Sequence, residues 1–200
     1  MAATAGPAAA AAPESAAGPE AARTRVLDAA EALFYARGVQ NVGMDEVRTT
    51  SGVSLKRLYQ LFPSKGDLVE AYLRRRDTTW RQDLTRFADA PEDPRERVLA
   101  VFDWLEQWFA QPDFRGCAFI NAFGELGATA PAVADAVAEH KAAFRHYLAG
   151  LATAAGGTAA LGEQLALLAE GAITTAAISG TPAPARQART AAQALLPHRA

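Results

Sequence analysis

Apolar residues recur at helical spacing along most of the chain, and this period limits the possible folds more than any other feature. In residues 23–37, for example, Val26, Ala30 and Phe34 fall on one face of a helix. Neither the alternation of β-branched residues nor the Asn-Gly turns that favour a sheet accompany these stripes. We therefore predict an all-α fold, with helices near residues 23–37, 44–50, 55–62, 67–88, 95–109, 116–126, 131–153, 161–179 and 184–196.

Composition and the start of the chain limit the class of protein. With 50% hydrophobic and 21% charged residues among 200, the chain has the balance of a soluble globular protein. Its single cysteine, Cys117, cannot form an internal disulfide, and no apolar run reaches the ~18 residues of a membrane span. Residues 1–18 are rich in alanine and proline and lack the features of a secretory signal. We predict that they form a disordered arm and that the protein is cytoplasmic, with no membrane partner.

The charged residues are distributed unevenly along the chain. Residues 23–86 hold 12 Lys or Arg against 8 Asp or Glu, a balance of +4, whereas the remainder holds 8 against 14, a balance of −6. A cationic first part is compatible with a polyanionic partner, although random variation in surface charge would give the same difference. Charge alone therefore leaves the function open.

A tight turn at Gly52 separates two short helical segments, an arrangement typical of a helix-turn-helix unit. Glycine can adopt the positive φ that lets two helices meet at a steep angle. Ser54 is then the expected N-cap of the second helix, and Val53 and Leu58 have the spacing of a hydrophobic staple. With this cap, one face of the helix points towards the preceding helices, and it carries Leu58, Leu61 and Phe62.

The opposite face of the same short helix suits the major groove of DNA. It carries Leu55, Lys56, Tyr59 and Gln60, with Arg57 on the flank. We predict that Lys56 and Gln60 hydrogen-bond base edges, because both side chains can reach the donors and acceptors displayed there. Leu55 can contact a thymine methyl group, Tyr59 can reach a base or a phosphate, and Arg57 is better placed for a phosphate.

A capping box follows the short helix and adds a candidate phosphate contact. Ser64 and Asp67 have the spacing of the box, and Pro63 ends the preceding helix. Lys65 then lies in the first turn of a long helix, whose N–H groups already attract anions. A phosphate bound there would explain a cation at that end of the helix, and a solvent-facing lysine on a capped helix is the alternative.

The region from about Pro19 to Arg76 resembles the DNA-binding domain of the tetracycline-repressor (TetR/AcrR) family of bacterial one-component regulators. The resemblance is carried by the spacing G-V-S-x-x-x-L-Y-x-x-F-x-S-K from Gly52 to Lys65. It implies a homodimer whose two recognition helices enter successive major grooves of a near-palindromic operator. It also implies that Tyr59 and Lys65 contact the DNA backbone. We predict a DNA-binding domain over residues 19–79 and a helical ligand-binding and dimerisation domain over residues 80–200.

Three positions depart from the family pattern. Arg48 and Ser51 stand where alanines are common, and Leu61 stands where a histidine is common before the final Phe. Arg48 is either an additional phosphate contact or a member of a surface salt bridge, and both interpretations stay open.

The resemblance also implies that Leu55 and Lys56 face bases. The predicted DNA-binding residues are Thr24, Arg48, Ser54, Leu55, Lys56, Arg57, Tyr59, Gln60 and Lys65.

The acidic remainder of the chain is less diagnostic. By analogy with the family it should hold a pocket for a small apolar or aromatic effector and a dimer interface, although aromatic residues at helical spacing are also typical of an ordinary core. The predicted pocket residues are Trp104, Trp108, Cys117, Asn121, Phe123, His140, Phe144 and Tyr147. The predicted dimer residues are Leu161, Leu165, Leu168, Ala172, Ala176 and Leu195, because a stripe ending in small residues lets helices approach closely.

Other chemistries have little support in the sequence. His140 and His146 lack the spacing of metal ligands, and only Arg115 stands near Cys117 to favour a redox role. We predict no cofactor and no enzyme activity, since no nucleophile–base pair or phosphate loop is present. The preferred hypothesis is a ligand-responsive repressor, in which the effector moves the helix over residues 67–88. The alternative is a helix-turn-helix protein that contacts proteins or compacts DNA without sequence preference.

Overall fold

A computed structural model describes residues 18–197 of the chain. The predicted arm therefore lies outside the described residues, except for Gly18. Nine helices and no strand are found within the described part, so the predicted all-α class is confirmed. The helices are α1 Pro19–Arg37, α2 Met44–Ser51, α3 Leu55–Leu61, α4 Lys65–Ala88, α5 Pro94–Phe109, α6 Ala118–Leu126, α7 Pro131–Ala154, α8 Ala159–Ser179 and α9 Ala183–Leu195.

Helices α1, α2 and α3 form a small unit, which we call the head (residues 19–61). Its apolar interior contains Val26, Phe34, Val47 and Leu58, all buried. Phe62, just after α3, is also buried, and the Arg23 guanidinium of α1 lies 4.7 Å from the centre of its ring. Residues from all three helices therefore share one interior, which fixes the orientation of α3.

The turn between α2 and α3 has the geometry that its residues predict. Gly52 is left-handed, with φ 66° and ψ 20°, and its N–H donates to the carbonyl of Arg48. The Ser54 hydroxyl accepts from the N–H of Arg57, which confirms Ser54 as the N-cap of α3. Val53 and Leu58 are both buried, as a hydrophobic staple requires.

Helix α4 is continuous over 24 residues and connects the head to the rest of the chain. It begins two residues before the predicted start, because the predicted capping box forms with Ser64 as the N-cap. Ser64 accepts from the N–H of Asp67, and the Asp67 carboxylate accepts from the N–H of Ser64 at 2.8 Å. The apolar spacing of residues 67–88 predicts a stripe of Val69, Leu73, Trp80, Leu84 and Phe87; the first four are buried and Phe87 is partly buried.

Helices α5 to α9 form a second helical unit around the C-terminal part of α4. Helix α7 packs against α4 and α8, while α5 packs against α4 and α9. The interior of this unit contains large buried side chains such as Phe102, Leu105, Phe144 and Leu148. None of the helices within residues 18–197 combines the length and apolar character needed to cross a membrane.

Candidate nucleic-acid interface and aromatic cleft

Helix α3 presents one polar and amphipathic face to solvent. Leu55, Lys56, Tyr59 and Gln60 are exposed, and the exposed fraction of the Tyr59 side chain is 46%. Leu55 is similarly open, at 48%. This face therefore has the composition and accessibility that a major-groove contact requires.

The flank of α3 is held by hydrogen bonds within the helix. The Arg57 guanidinium donates to the Gln60 side-chain oxygen at 3.3 Å, and Arg57 is half-buried. Leu61 is half-buried rather than fully internal, because it lies at the edge of the head. Leu58 thus anchors the helix, while Lys56 and Gln60 are exposed and accessible to a partner.

The other predicted DNA contacts lie on α1, α2 and α4. Thr24 is exposed, and its hydroxyl donates to the carbonyl of Glu20. Lys65 is half-buried in the first turn of α4 and has no acidic partner among residues 18–197. An anion at this helix start would be attracted both by the ammonium group and by the N–H groups of the first turn.

Arg48 forms the surface salt bridge that was one of its two interpretations. Its Nε lies 2.7 Å from Oδ1 of Asp45, one turn earlier on α2. The hydrogen bond that the Arg48 guanidinium donates to this carboxylate raises the pKa of Arg48. The pair is exposed, so it does not prevent the arginine from exchanging Asp45 for a phosphate.

Two sets of hydrogen bonds join the head to helix α6 and the loop before it. The Tyr35 hydroxyl donates to the carbonyl of Gly116 at 3.0 Å and accepts from the N–H of Arg115 at 2.9 Å. The Gln40 N–H and side-chain amide donate to the carboxylate and carbonyl of Glu125, both at 2.6 Å. The sequence gives no local signal for these contacts, because the partners are about eighty residues apart.

Ion pairs join α1 of the head to α4. Arg75 binds Asp28 at 2.7 Å and Glu31 at 2.8 Å, while Arg76 binds the other oxygen of Glu31 at 2.7 Å. The Arg76 guanidinium also lies 4.1 Å from the centre of the Tyr35 ring. We call Glu31, Arg75 and Arg76 the α1–α4 clamp, since Glu31 holds two successive arginines of the connecting helix.

A cleft of about 1020 Å³ lies between α4 and α5, next to this clamp. Its walls include Trp80 and Phe87 from α4, and Trp104 and Trp108 from α5. The Trp80 and Trp104 rings meet edge to face at 5.1 Å, and the Trp104 and Trp108 rings are tilted by 31° at 5.7 Å. An apolar aromatic wall with polar groups at its edge is typical of a site for an organic ligand.

The remaining predicted pocket residues lie elsewhere, so the structure does not bring the eight together. Phe144 is buried against Trp80, and Phe123 is exposed on α6. Tyr147 donates to Asp89 at 2.9 Å. Asn121 lies at a separate cavity of about 110 Å³ between the head and α6, and its amide donates to the carbonyl of Arg115.

His140 and Cys117 are both buried, and each has a side-chain partner. His140 stacks on Phe119 at 3.6 Å, and its Nδ1 lies 2.7 Å from Asp77 Oδ1. Burial lowers the pKa of His140 to about 4, in spite of its hydrogen bond to the Asp77 carboxylate, which acts in the opposite direction. The Cys117 thiol accepts from the Lys141 ammonium at 3.3 Å, a partner that the sequence did not indicate.

The predicted dimer residues need a correction. Leu161, Leu165, Ala172 and Ala176 are buried inside the chain itself, because this stripe of α8 packs on α7 and α9. These four residues are therefore not available to a second copy. Of the other two predicted residues, Leu168 is half-buried and Leu195 is exposed. The large apolar side chains that α8 exposes are Leu167 and Ile178, at 74% and 83%.

Metal chemistry has no support in the described part of the chain. Within residues 18–197, no group of three or more His, Cys, Asp and Glu side chains could hold an ion. The candidate sites of the described structure are the nucleic-acid interface on the head and the cleft beside it.

Comparison with known families matches both halves of the chain. Residues 26–72 match the family described as "Bacterial regulatory proteins, tetR family". Residues 94–192 match the "Tetracyclin repressor-like, C-terminal domain". Together the two matches cover the head from residue 26 onwards, the first third of α4 up to residue 72, and α5 to α9 except the last residues of α9.

Relatives with a curated description match a shorter part. An HTH-type transcriptional regulator of Mycobacterium tuberculosis is 40% identical over 79 residues, which are 39% of this chain and 39% of the relative. The HTH-type transcriptional activator FasR of Mycolicibacterium smegmatis is 39% identical over 88 residues, or 42% of this chain and 40% of FasR. The chain thus aligns with about two fifths of the length of these relatives.

Crystal structures match over nearly the whole described chain. A TetR-family transcriptional regulator from Streptomyces coelicolor has a TM-score of 0.82 and 29% identity, covering 88% of this chain and 94% of the other. A TetR transcriptional regulator from Streptomyces avermitilis has a TM-score of 0.74 and 31% identity, covering 86% and 97%. The region aligned with these structures includes the head, the connecting helix α4 and the second helical unit.

Proposed function

Because the chain belongs to the TetR family of bacterial regulatory proteins, it is a DNA-binding transcriptional regulator and not an enzyme, and we propose that it is a ligand-responsive repressor. In this proposal a homodimer in the cytoplasm binds an inverted-repeat operator until a small aromatic effector releases it. The observation that supports it most is that one helix, α4, both follows the head and forms a wall of the aromatic cleft.

The exposed face of α3 is the proposed source of sequence specificity. Lys56 and Gln60 contact base edges, and Leu55 contacts a thymine methyl group. Contacts with the phosphates fix the register of the head on the duplex but do not read sequence. They come from Thr24, Arg48, Ser54, Arg57, Tyr59 and Lys65.

The proposed dimer uses the outer faces of α8 and α9. Leu167 and Ile178 lie three turns apart on α8, with the exposed Gly171 and Thr174 between them on the same stripe. Leu195 of α9 is also exposed, and α9 packs against α8. A two-fold axis through these helices would make an isologous four-helix contact, two helices from each copy.

The proposed control of DNA binding depends on the spacing of the two heads. A dimer binds two half-sites when its recognition helices match the groove repeat of about 34 Å. A ligand between α4 and α5 that binds the released form more tightly shifts the population towards it. Movement of α4 then changes the position of α3, because the residues that follow α3 lead directly into α4.

Repression is the proposed sign of regulation, and activation is the competing outcome. The curated relative FasR is named an activator, which shows that a match of this extent does not determine the sign. In vitro transcription from a promoter that contains the selected operator decides between them. We expect less transcript with the protein than without it, and more transcript on addition would replace repression by activation.

Selection from a random duplex library tests the operator proposal. The full chain should recover an inverted repeat with half-sites about 10 bp or more apart. Lys56→Ala should relax this selectivity at the base that Lys56 contacts, and Arg145→Ala, an exposed cation on α7, should keep it. Recovery of unrelated sequences, with binding that declines steeply with salt, would instead support non-specific DNA compaction.

The affinity of two further variants for DNA tests the other alternative. Full DNA affinity in Tyr59→Ala and Lys65→Ala would support a role of the helix-turn-helix in protein contacts.

A further inference from the structure

We propose that Arg57 determines which base Gln60 selects, and that this base is guanine. The inference rests on the proposed function, in which the exposed face of α3 contacts base edges in the major groove. It adds the residue that orients the base-reading amide and the base that this orientation favours.

The side-chain amide of Gln60 is held in one orientation. The Arg57 guanidinium donates to Gln60 Oε1 at 3.3 Å, from one turn earlier on α3. A guanidinium carries only N–H donors, so the amide atom that faces it has to be the oxygen. The amide nitrogen then lies on the other side of the group with its two N–H donors. Because Gln60 is exposed, this nitrogen is accessible to a base edge.

Arg57 is well suited to this positioning role. It is half-buried, whereas Lys56 and Gln60 on the same helix are exposed. The segment Leu55–Leu61 contains no carboxylate, and its single side-chain carbonyl is that of Gln60. The guanidinium has five N–H donors, so it can keep this bond while another N–H contacts a phosphate.

The exposed face of α3 therefore presents mainly donors to the groove. Lys56 lies one turn before Gln60, and its ammonium has three donors and no acceptor. The Tyr59 hydroxyl can also accept, but its proposed partner is a phosphate. Guanine is the base whose major-groove edge presents two acceptors, O6 and N7, and no donor. A face of donors matches this edge.

Adenine is a poor partner for this arrangement. Its edge presents the N6 amino donor beside the N7 acceptor, and a glutamine reads it by accepting with Oε1 and donating with Nε2. Oε1 of Gln60 keeps a second lone pair, but an amino group that used it would lie close to the Arg57 guanidinium. Two groups of donors then face each other, which disfavours adenine. Without the Arg57 side chain, Oε1 is released and the bidentate contact with adenine becomes available.

The test begins by locating the base pair that Gln60 contacts. Selection with Gln60→Ala identifies this pair, because it is the position whose preference is lost. Fluorescence anisotropy on the full chain then measures Kd for four operators that differ only at that pair. Arg57→Ala is the test variant, and it keeps the N-cap, since the bond to Ser54 Oγ uses the backbone N–H of Arg57. Lys65→Ala is the matched control, because it removes another proposed phosphate contact, on α4.

We expect the wild type to bind the guanine operator about fivefold or more tightly than the adenine operator. Arg57→Ala should weaken binding to all four operators and reduce this ratio to about one or below. Lys65→Ala should weaken binding to all four and keep the ratio, because phosphate contacts do not read sequence. In a Gln60→Ala background, Arg57→Ala should no longer change the ratio.

Three results would overturn the inference and leave operator binding intact. A wild-type preference for adenine at the Gln60 position would overturn the assignment of guanine. A guanine preference that survives Arg57→Ala would overturn the role of Arg57. If Gln60→Ala alters no position of the selected sequence, Gln60 does not read a base. Failure of the wild type to enrich any inverted repeat is a different result, and it would remove the proposed function itself.

Discussion

The head and the second helical unit differ in how closely their sequences determine the role of each residue. In the head, backbone geometry demands particular residue types at particular places, such as a left-handed glycine at Gly52 and a cap at Ser54. In the second unit, apolar residues at helical spacing satisfy several packings equally well. The outward face of α3 was therefore predicted residue by residue, whereas the outward face of α8 was not.

Helix α8 shows why its outward face was missed. Apolar residues surround most of the helix, so its sequence contains two apolar stripes and not one. The stripe through Leu165 and Ala172 was predicted to face a second copy, but it is buried against α7 and α9. Only the packing of the whole chain distinguishes it from the exposed stripe through Leu167 and Ile178.

Substitutions on the two stripes of α8 should give the largest difference. Leu165→Ala should lower the free energy of unfolding by about 2–5 kcal/mol, because it leaves a cavity in a fully buried site. Leu167→Ala should leave the stability of the isolated chain nearly unchanged and weaken self-association. Urea denaturation and sedimentation velocity measure the two effects. A Leu165→Ala protein of normal stability that sediments as a monomer would restore the original prediction for this stripe.

The buried histidine of α7 should make stability depend on pH. The pKa of His140 is about 4 in the folded chain, against an ordinary value of 6.5, because burial disfavours the charged form. Between these values the unfolded chain binds the proton more readily, so stability falls as pH decreases from about 6.5 to 4. The loss should be on the order of 3 kcal/mol.

Denaturation at a series of pH values measures this loss as a difference between the wild type and His140→Gln. His146→Gln is the control, because His146 is exposed on the same helix. The account of the buried imidazole fails if His140→Gln keeps the full wild-type slope between pH 6.5 and 4.

Two lysines of the DNA-binding region should separate base contacts from phosphate contacts. Lys56→Ala should cost about 1–3 kcal/mol on the selected operator and little on unrelated DNA. Lys65→Ala should weaken binding to both, and it should reduce the slope of log K against log salt by about one. Fluorescence anisotropy over a salt series measures both. Identical behaviour of the two variants would mean that Lys56 contacts only the backbone.

Two glycines with the same conformation offer the smallest and most closely matched test. Gly52 has φ 66° and Gly180 has φ 68°, and an added Cβ would have no neighbour within 4 Å at either site. Alanine should cost about 1 kcal/mol of stability at each, because a left-handed L-residue is strained. Only Gly52→Ala should also weaken operator binding, since it alters the angle between α2 and α3. Equal operator affinities in the two variants would show that this angle is not critical.

Much of the molecule could be predicted from local sequence. What could not be predicted depends on contacts between residues that are far apart in the chain. Helix boundaries and caps depend on neighbours within one or two turns, so the capping box at Ser64 and Asp67 was predicted correctly. The cleft depends on residues far apart in the chain, and only Trp104 and Trp108 of its predicted members line it. Trp80 of α4 lies on the apolar stripe of its helix and is almost fully buried, yet its ring is also part of the cleft wall.

The contacts between the head and the second unit lay beyond any local pattern. Glu31 and Gln40 are ordinary surface residues in the sequence, and their partners become visible only when α4 and α6 are placed beside them. The Lys141 partner of Cys117 is another example, since the two residues are 24 positions apart and lie on different elements. Long-range charge and hydrogen bonding thus account for most of what the sequence did not reveal.

The central claim is that occupation of the cleft and binding of the operator are coupled through α4. Its most direct test is the Kd of an aromatic ligand of the cleft, found by its effect on tryptophan emission and measured by calorimetry on the free chain and on the chain saturated with operator. Coupling between two sites is reciprocal, so a ligand that releases the operator must bind the operator-bound chain more weakly, by about 5- to 150-fold. The same Kd in both states would contradict the claim, because a ligand that does not distinguish the two states cannot shift the population between them.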